Sequence, residues 1–332
     1  MLRPRYINHF LSFLLVASSA LLHESAGVAR TLTCPDVDAL FISNFDPSLS
    51  TTQLAQPGPF ATQTRSGVTS RQGRSTPWVA VYPTGTQAPP ALMIFVPGFQ
   101  ISSASYAALM THVATWGFVA VRVDPESSLF SPSHPDMALD VSAVLTDLLV
   151  PAALPVAVDG TRLALSGHSL GGKIAVMAAD ADSRIDAVYA FDPVNSAGGS
   201  SGQPNILPAG IDQQTIPFGI AGELLDGNGT FQACAPLALN YQNFFNAAAS
   251  TPAAYEWTLN GASHTDFVTN RDQCGFACQF CQTGTLSIAV THAFMRSSTV
   301  AFLRTHLLDE PGLCGWLDGA EIPSQIDVRQ RP

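Results

Sequence analysis

Thr161-Arg162-Leu163-Ala164-Leu165-Ser166-Gly167-His168-Ser169-Leu170-Gly171-Gly172, followed by the Ala-, Val- and Met-rich stretch Lys173 to Asp182, decides the fold. The apolar run up to Ser166 reads as a short strand, and Lys173 to Asp182 reads as a helix. Between them, Gly167-His168-Ser169-Leu170-Gly171 has the G-x-S-x-G pattern of a sharp strand-to-helix turn that exposes a serine hydroxyl at the top of a sheet. Small residues on either side of Ser169 let strand and helix approach closely. A Gly-rich turn that merely contains a serine would not need these flanks.

Working outward, the same alternation continues. Trp78 to Tyr82 reads as a strand. Ala91 to Val96 is a continuous apolar run bounded by prolines, as expected of a strand buried on both faces. Ser105 to Trp116 has helical periodicity and ends at Gly117. Phe118 to Val123 is another buried strand, and Met137 to Leu149 is a helix with Pro135 placed for its first turn. Beyond the serine come strands at Ala187 to Phe191, Ile216 to Ala221 and Tyr255 to Leu259. Helices are expected at Leu237 to Ala248 and Ser287 to Leu308. Strands alternating with helices specify a parallel sheet with right-handed crossovers. With the serine turn, this is an α/β-hydrolase fold, a mostly parallel sheet with helices on both faces. The expected division is a targeting segment at 1–30, an extended arm with a strand pair at 31–76, a catalytic domain at 77–310 and a tail at 311–332.

Composition narrows the partners. The chain has 332 residues, 46% hydrophobic and 12% charged, with a formal net charge of −10. A nucleic-acid partner is excluded, because phosphate binding needs clustered Lys and Arg, and only the loose set Arg65, Arg71 and Arg74 is present. Arg3 and Arg5 precede an apolar stretch from Phe10 to Leu22, then small residues, in the order of a secretory signal. A plastid-directing leader is the alternative, since no acidic residue precedes Glu24. Six cysteines, Cys34, Cys234, Cys274, Cys278, Cys281 and Cys314, suit disulfides in an oxidising compartment. A zinc site at Cys274, Cys278 and Cys281 would need His292 or Cys314 as a fourth ligand, and disulfides are the simpler reading. Asn228-Gly229-Thr230 is a glycosylation acceptor if the chain enters the secretory route.

A serine hydroxyl needs a base, and the base needs a carboxylate. In this fold the chain order is Ser, then acid, then His. Only His264, His292 and His306 follow Ser169, and the last two fall inside the expected C-terminal helix. His264 lies just past the last strand and is the expected base, while His168 is locked beside the serine. Two carboxylates end strands after the serine turn: Asp192, followed by Pro193, and Asp226, in a Gly-rich loop. The residues themselves leave that choice open. Two backbone N–H groups should hold the oxyanion, one from Leu170 and one from Phe99, after the strand ending at Val96.

Several segments resemble the chlorophyllase family. These are Phe95-Val96-Pro97-Gly98-Phe99, Tyr106 to Phe118, Gly167 to Lys173, and Phe191-Asp192-Pro193-Val194. Further on come Cys234-Ala235-Pro236 with Asn240, Asn243, Phe244 and Phe245, then His264-Thr265-Asp266 and the cysteines through Cys281. The likeness runs from about residue 90 to 308. It implies Asp192 as the acid, because the family's aspartate falls in the Asp-Pro-Val segment. It implies hydrolysis of the phytyl ester of chlorophyll, with no cofactor and no metal in the chemistry, on an apolar small-molecule ester that suits peripheral contact with a membrane. Its localisation would be the chloroplast in an alga or plant, and extracellular otherwise. Leu170 departs from the family, whose plant members usually carry Arg there. The backbone N–H survives that change, and substrate orientation is what it would affect. Pro204 to Ile216 and the Phe244-Phe245 pair are candidates to line the cleft, with packing under a cap as their alternative. A lipase-, cutinase- or polyester-hydrolase-like esterase is the competing reading of the same serine, histidine and aspartate.

Overall fold

A computed structural model describes residues 50–127, 132–196, 202–212, 215–228, 233–251, 253–310, 313–317, 319 and 322–331. The leader, Cys34 and the first part of the arm lie outside the described residues, as do Gly229 and Thr230 of the glycosylation acceptor.

After a short helix α1 (Thr51–Leu54), β1 (Thr62–Arg71) and β2 (Arg74–Pro83) form a hairpin. Then follow β3 (Leu92–Val96), α2 (Ala107–Thr115), β4 (Val119–Val123), α3 (His134–Leu148), β5 (Leu163–His168), α4 (Leu170–Ala181) and β6 (Ala187–Phe191). The chain continues through α5 (Ala209–Asp212), β7 (Phe218–Gly222), α6 (Tyr241–Ala247), β8 (Ala254–Leu259), α7 (Ile288–Leu307), α8 (Cys314–Leu317) and β9 (Ile326–Arg331). The nine strands form one sheet in the order β1-β2-β4-β3-β5-β6-β7-β8-β9. The six strands from β4 to β8 in that order are parallel, and β2 and β9 pair antiparallel at the two flanks. This is the α/β-hydrolase architecture expected from the sequence.

Alternation along each strand feeds two cores. Met93 and Phe95 face one layer with Tyr189, Phe191 and Trp257, covered by α2 and α7. Leu92, Ile94 and Val96 face the other with Val121, Leu165 and Ile220, covered by α3, α4 and α6. Every residue of β3, β5, β6, β7 and β8 is buried. That is why β3 and β6 read as unbroken apolar runs, while β5 and β8 also bury polar side chains, Ser166, His168, Glu256 and Thr258. Among the described residues, no helix is long and apolar enough to cross a membrane.

The sheet extends past both ends of the 77–310 stretch read as the catalytic domain. β1 adds an edge on one side, and β9, within the expected tail, pairs with β8 on the other. β9 left little trace in the sequence because it is largely polar, with Ile326 buried on one face and Arg329 and Arg331 on the other. Arg329 donates to buried Glu256 of β8 at 2.7 Å, and both arginines lie over the Phe245 ring. The helix expected from Leu237 starts later, at Tyr241, because Asn240 caps it by accepting the Gln242 N–H.

The strand order reverses direction at β3 and β5. The chain leaves β3 towards β4 and returns to lay β5 on the opposite side. In parallel sheets a site is expected beside the loops at the carboxyl ends of two such strands. Phe99 follows β3, and Ser169 follows β5.

Candidate active site

Ser169 sits at φ 56°, ψ −124°, between the last residue of β5 and the first of α4. A non-glycine residue there costs about 1–3 kcal/mol. The strain is held because both flanking elements are anchored: Leu170, Ile174, Ala175 and Val176 of α4 are all buried. Burying one such large aliphatic side chain contributes about 1.5–3 kcal/mol, so the helix more than offsets one strained residue. Gly167 and Gly171 make the close approach. A Cβ on Gly167 would strike the Gly171 carbonyl, and one on Gly171 would strike that of Val96.

The backbone then ties Ser169 to the β6 loop. Its N–H donates to Phe191 C=O at 3.0 Å, and its C=O accepts the Val194 N–H at 3.2 Å. Asp192, between them, is fully buried and also at positive φ, 39°. Its Oδ2 accepts from His264 Nδ1 at 2.6 Å, and His264 Nε2 lies 2.9 Å from Ser169 Oγ. An ionised carboxylate is acceptor-only, so an ionised Asp192 would hold the proton on Nδ1 and leave Nε2 free to accept from the serine hydroxyl. Burial pushes the Asp192 carboxyl up, while the hydrogen bond and charge of His264 pull it the other way.

His264 opens a 3-10 turn, His264–Phe267, after β8. Its backbone is gripped at both ends. The N–H donates to Asp226 Oδ2 at 2.8 Å, and the C=O accepts from His168 Nε2 at 3.0 Å. His168 Nδ1 in turn accepts the Tyr106 hydroxyl at 2.7 Å. Burial and the neighbouring His264 hold the His168 ring neutral by pushing its pKa well down. Asp226, the second carboxylate considered from sequence, thus meets the backbone of His264 rather than its ring. Asp226 Oδ1 accepts the Gln282 N–H at 2.7 Å, next to the Cys234–Cys281 disulfide. A second disulfide joins Cys274 and Cys278. The three clustered cysteines are thus paired in disulfides, Cys281 with Cys234 and Cys274 with Cys278.

Leu170 opens α4, so its N–H has no carbonyl within its own helix and lies at the positive end of the helix dipole. Its side chain is 4% exposed and packs in the core. Gly98 lies against the serine: a Cβ there would be 3.3 Å from Ser169 Cβ, which brings the loop carrying Phe99 beside Ser169. Phe99 is 38% exposed.

The suggested cleft segments lie elsewhere. Phe244 and Phe245 are buried core residues of α6. Ile206 and Gly210 line a pocket of about 310 Å³ with Pro135, Ala138, Leu139 and Met177. Met177 is eight positions along α4 from Ser169, about 12 Å at the helical rise. Pro204 instead offers its carbonyl, with that of Ser196, to the buried Lys173 ammonium, whose pKa burial lowers to about 8. Exposed apolar side chains occur on the loops that carry the site: Phe99, Leu224, Leu237 and Phe280. Sequence reasoning named Phe99 for its N–H alone and missed Leu224, Leu237 and Phe280, and it also missed Glu223, which follows β7 beside Asp192. The signal was present, since Glu223 is a carboxylate at a parallel strand's carboxyl end.

The family model described as Chlorophyllase matches residues 50–316. The chain is 27% identical over 224 residues to chlorophyllase-1, chloroplastic, of Citrus sinensis, covering 64% of this chain and 67% of that protein. It is 28% identical over 197 residues to chlorophyllase-2 of Arabidopsis thaliana, covering 53% and 60%. It is also 28% identical over 170 residues to cutinase 1 of Thermobifida cellulosilytica, covering 51% and 58%. These relatives place the chain among ester hydrolases of the serine type.

Proposed function

The chain belongs to the chlorophyllase family, and on that premise we propose that it releases phytol from chlorophyll by a Ser169–His264–Asp192 acyl-enzyme mechanism. The observation that carries the chemistry is the unbroken hydrogen-bond line from Asp192 Oδ2 through His264 to Ser169 Oγ. As Ser169 Oγ attacks the ester carbonyl on the pigment side, its proton moves to His264 Nε2. The imidazolium that forms is held by Asp192. The N–H groups of Phe99 and Leu170 receive the developing oxyanion, assisted by the N-terminal end of α4. The phytyl oxygen leaves with the proton from His264. Water then repeats the sequence on the acyl-enzyme and frees chlorophyllide. The magnesium belongs to the pigment and takes no part.

Family membership supports the pigment as substrate, and the exposed Phe99, Leu224, Leu237 and Phe280 suit an apolar ester. The two disulfides support delivery to an oxidising compartment through the leader at residues 1–30. The cutinase likeness favours a second reading, a general esterase built on the same three residues. Incubating the purified chain with chlorophyll a and b, their magnesium-free forms and a short p-nitrophenyl ester separates the two. Chlorophyllide and phytol are expected. Turnover of the nitrophenyl ester with no chlorophyllide would establish the general esterase instead.

A further inference from the structure

Asp192 and Glu223 follow neighbouring parallel strands, β6 and β7, and both are completely buried. Each has one oxygen committed. Asp192 Oδ2 accepts from His264 Nδ1 at 2.6 Å, and Glu223 Oε2 accepts the Asp226 N–H at 2.9 Å. The other two, Asp192 Oδ1 and Glu223 Oε1, are buried and lack a well-formed hydrogen bond, and the backbone N–H and side chain of Glu223 lie against the Asp192 carboxyl. A carboxylate oxygen from each residue and a ring nitrogen of His264 lie within 4.8 Å of one another. Two adjoining buried carboxylates, each with an oxygen short of a hydrogen, would both carry a desolvation penalty. A single proton shared by the pair removes both penalties, as in carboxyl dyads where one member stays neutral beside an ionised one.

We propose that Glu223 is a positioning residue for the hydrolysis proposed above, its neutral carboxyl donating an O–H to Asp192 Oδ1 so that the pair bears one negative charge. The inference rests on the Ser169–His264–Asp192 reading. The proton stays on Glu223 throughout the cycle, and only the Ser169–His264 proton moves. Glu223 fixes the rotation of the Asp192 carboxylate, and through it the direction of His264. The surroundings favour the neutral form. Burial, then the charge of Asp192, pushes the Glu223 carboxyl up to about 10, and Asp226 adds to it. Asp192 faces Glu223 from β6, His264 from the turn after β8, Asp226 from its own loop, and Tyr241 from α6. The Tyr241 ring packs on Gly222, and its hydroxyl is bonded to Thr258 at 2.8 Å. None of these supplies a cation while His264 is neutral.

Infrared difference spectroscopy on the inactive Ser169→Ala protein reads the proton without any turnover. At neutral pH the carbonyl stretch of a neutral carboxylic acid is expected, and it should vanish in Ser169→Ala/Glu223→Gln. Absence of that band would overturn the proposal, whether or not the nucleophile assignment stands. Kinetics on a short ester then test the positioning. Glu223→Met, which has no donor, should lose about tenfold or more in kcat with KM little changed. Glu223→Gln, which keeps a donor, should recover most of that loss with the acid limb of kcat/KM unmoved. If Glu223 were ionised, Glu223→Gln would delete a charge beside His264 and move that limb down by about one pH unit or more. That shift, or equal losses in the Met and Gln variants, would also overturn it. If Ser169→Ala itself kept full hydrolysis, the nucleophile reading would fall while the infrared result still stood.

Discussion

Asp226 Oδ2 accepts the backbone N–H of His264 at 2.8 Å, while the His264 ring turns away from it to Asp192. Two aspartates at the ends of different strands thus act on one histidine at different atoms. One sets where the residue's backbone lies, and the other sets where its ring points. The Cys234-Ala235-Pro236 segment packs on the same loop, with Ala235 N–H donating to Asp226 C=O at 3.4 Å and Leu237 N–H to Gly227 C=O at 3.2 Å.

This division of labour predicts different losses. Asp192→Asn should lower kcat on a short ester by about 10⁴-fold, because an amide can donate to Nδ1 and select the wrong tautomer. Asp226→Asn keeps one acceptor oxygen for two backbone donors and should cost far less in kcat, with a lower unfolding midpoint. Steady-state kinetics and urea unfolding on both variants decide it. A larger kcat loss in Asp226→Asn would reverse the assignment.

Ser169→Ala and His264→Ala should each abolish ester hydrolysis, by about 10⁴-fold or more. The double variant should be little worse than either, since the two groups act as a unit. Circular dichroism should report an unchanged fold, because the serine hydroxyl contributes no packing. Multiplicative losses in the double variant would mean that the two side chains act independently.

The Cys234–Cys281 disulfide closes a loop with a sequence separation of 47. Replacing both cysteines by Ser should lower stability by about 2–4 kcal/mol. Activity at low temperature should fall less, because Asp226 still holds the His264 N–H directly. Denaturation with and without reductant measures the first quantity. An unchanged midpoint would show that the bridge carries no stability.

Buried histidines make the fold acid-sensitive, His168 and His292 among them. Burial, as the first cause, lowers the pKa of His112, His134 and His306 to about 4 each. Below about pH 6.5 the unfolded chain binds protons that the native chain refuses, so stability falls as pH drops from about 6.5 to about 4. The steepest loss is about 1.4 kcal/mol per pH unit for each group. His306 lies between the Phe302 and Tyr255 rings with its Nε2 unpartnered. His306→Phe should therefore flatten the slope measured by urea unfolding at pH 7, 6 and 5. An identical slope in that variant would remove His306 from the account.

Ser169, His264 and the parallel sheet were legible in the chain because each rests on local chemistry. Glycines at 167 and 171 permit one tight turn, and runs such as Leu92–Val96 fit only a strand covered on both faces. Chain order through the strand ends left two acids open, Asp192 and Asp226, since both stand at the correct end of a strand. Which carboxylate meets Nδ1 depends on how β6, β7 and β8 lie side by side, a relation that spans 72 residues between Asp192 and His264. The same holds for β9, whose half-covered edge has no local signature. It holds too for Phe244 and Phe245, whose burial follows from the sheet under α6. Glu223 is the clearest case. In sequence it is one more carboxylate at the end of a strand, three residues before Asp226. Only the packing of β7 against β6 places its buried carboxyl against that of Asp192, and there the proposed shared proton would serve both.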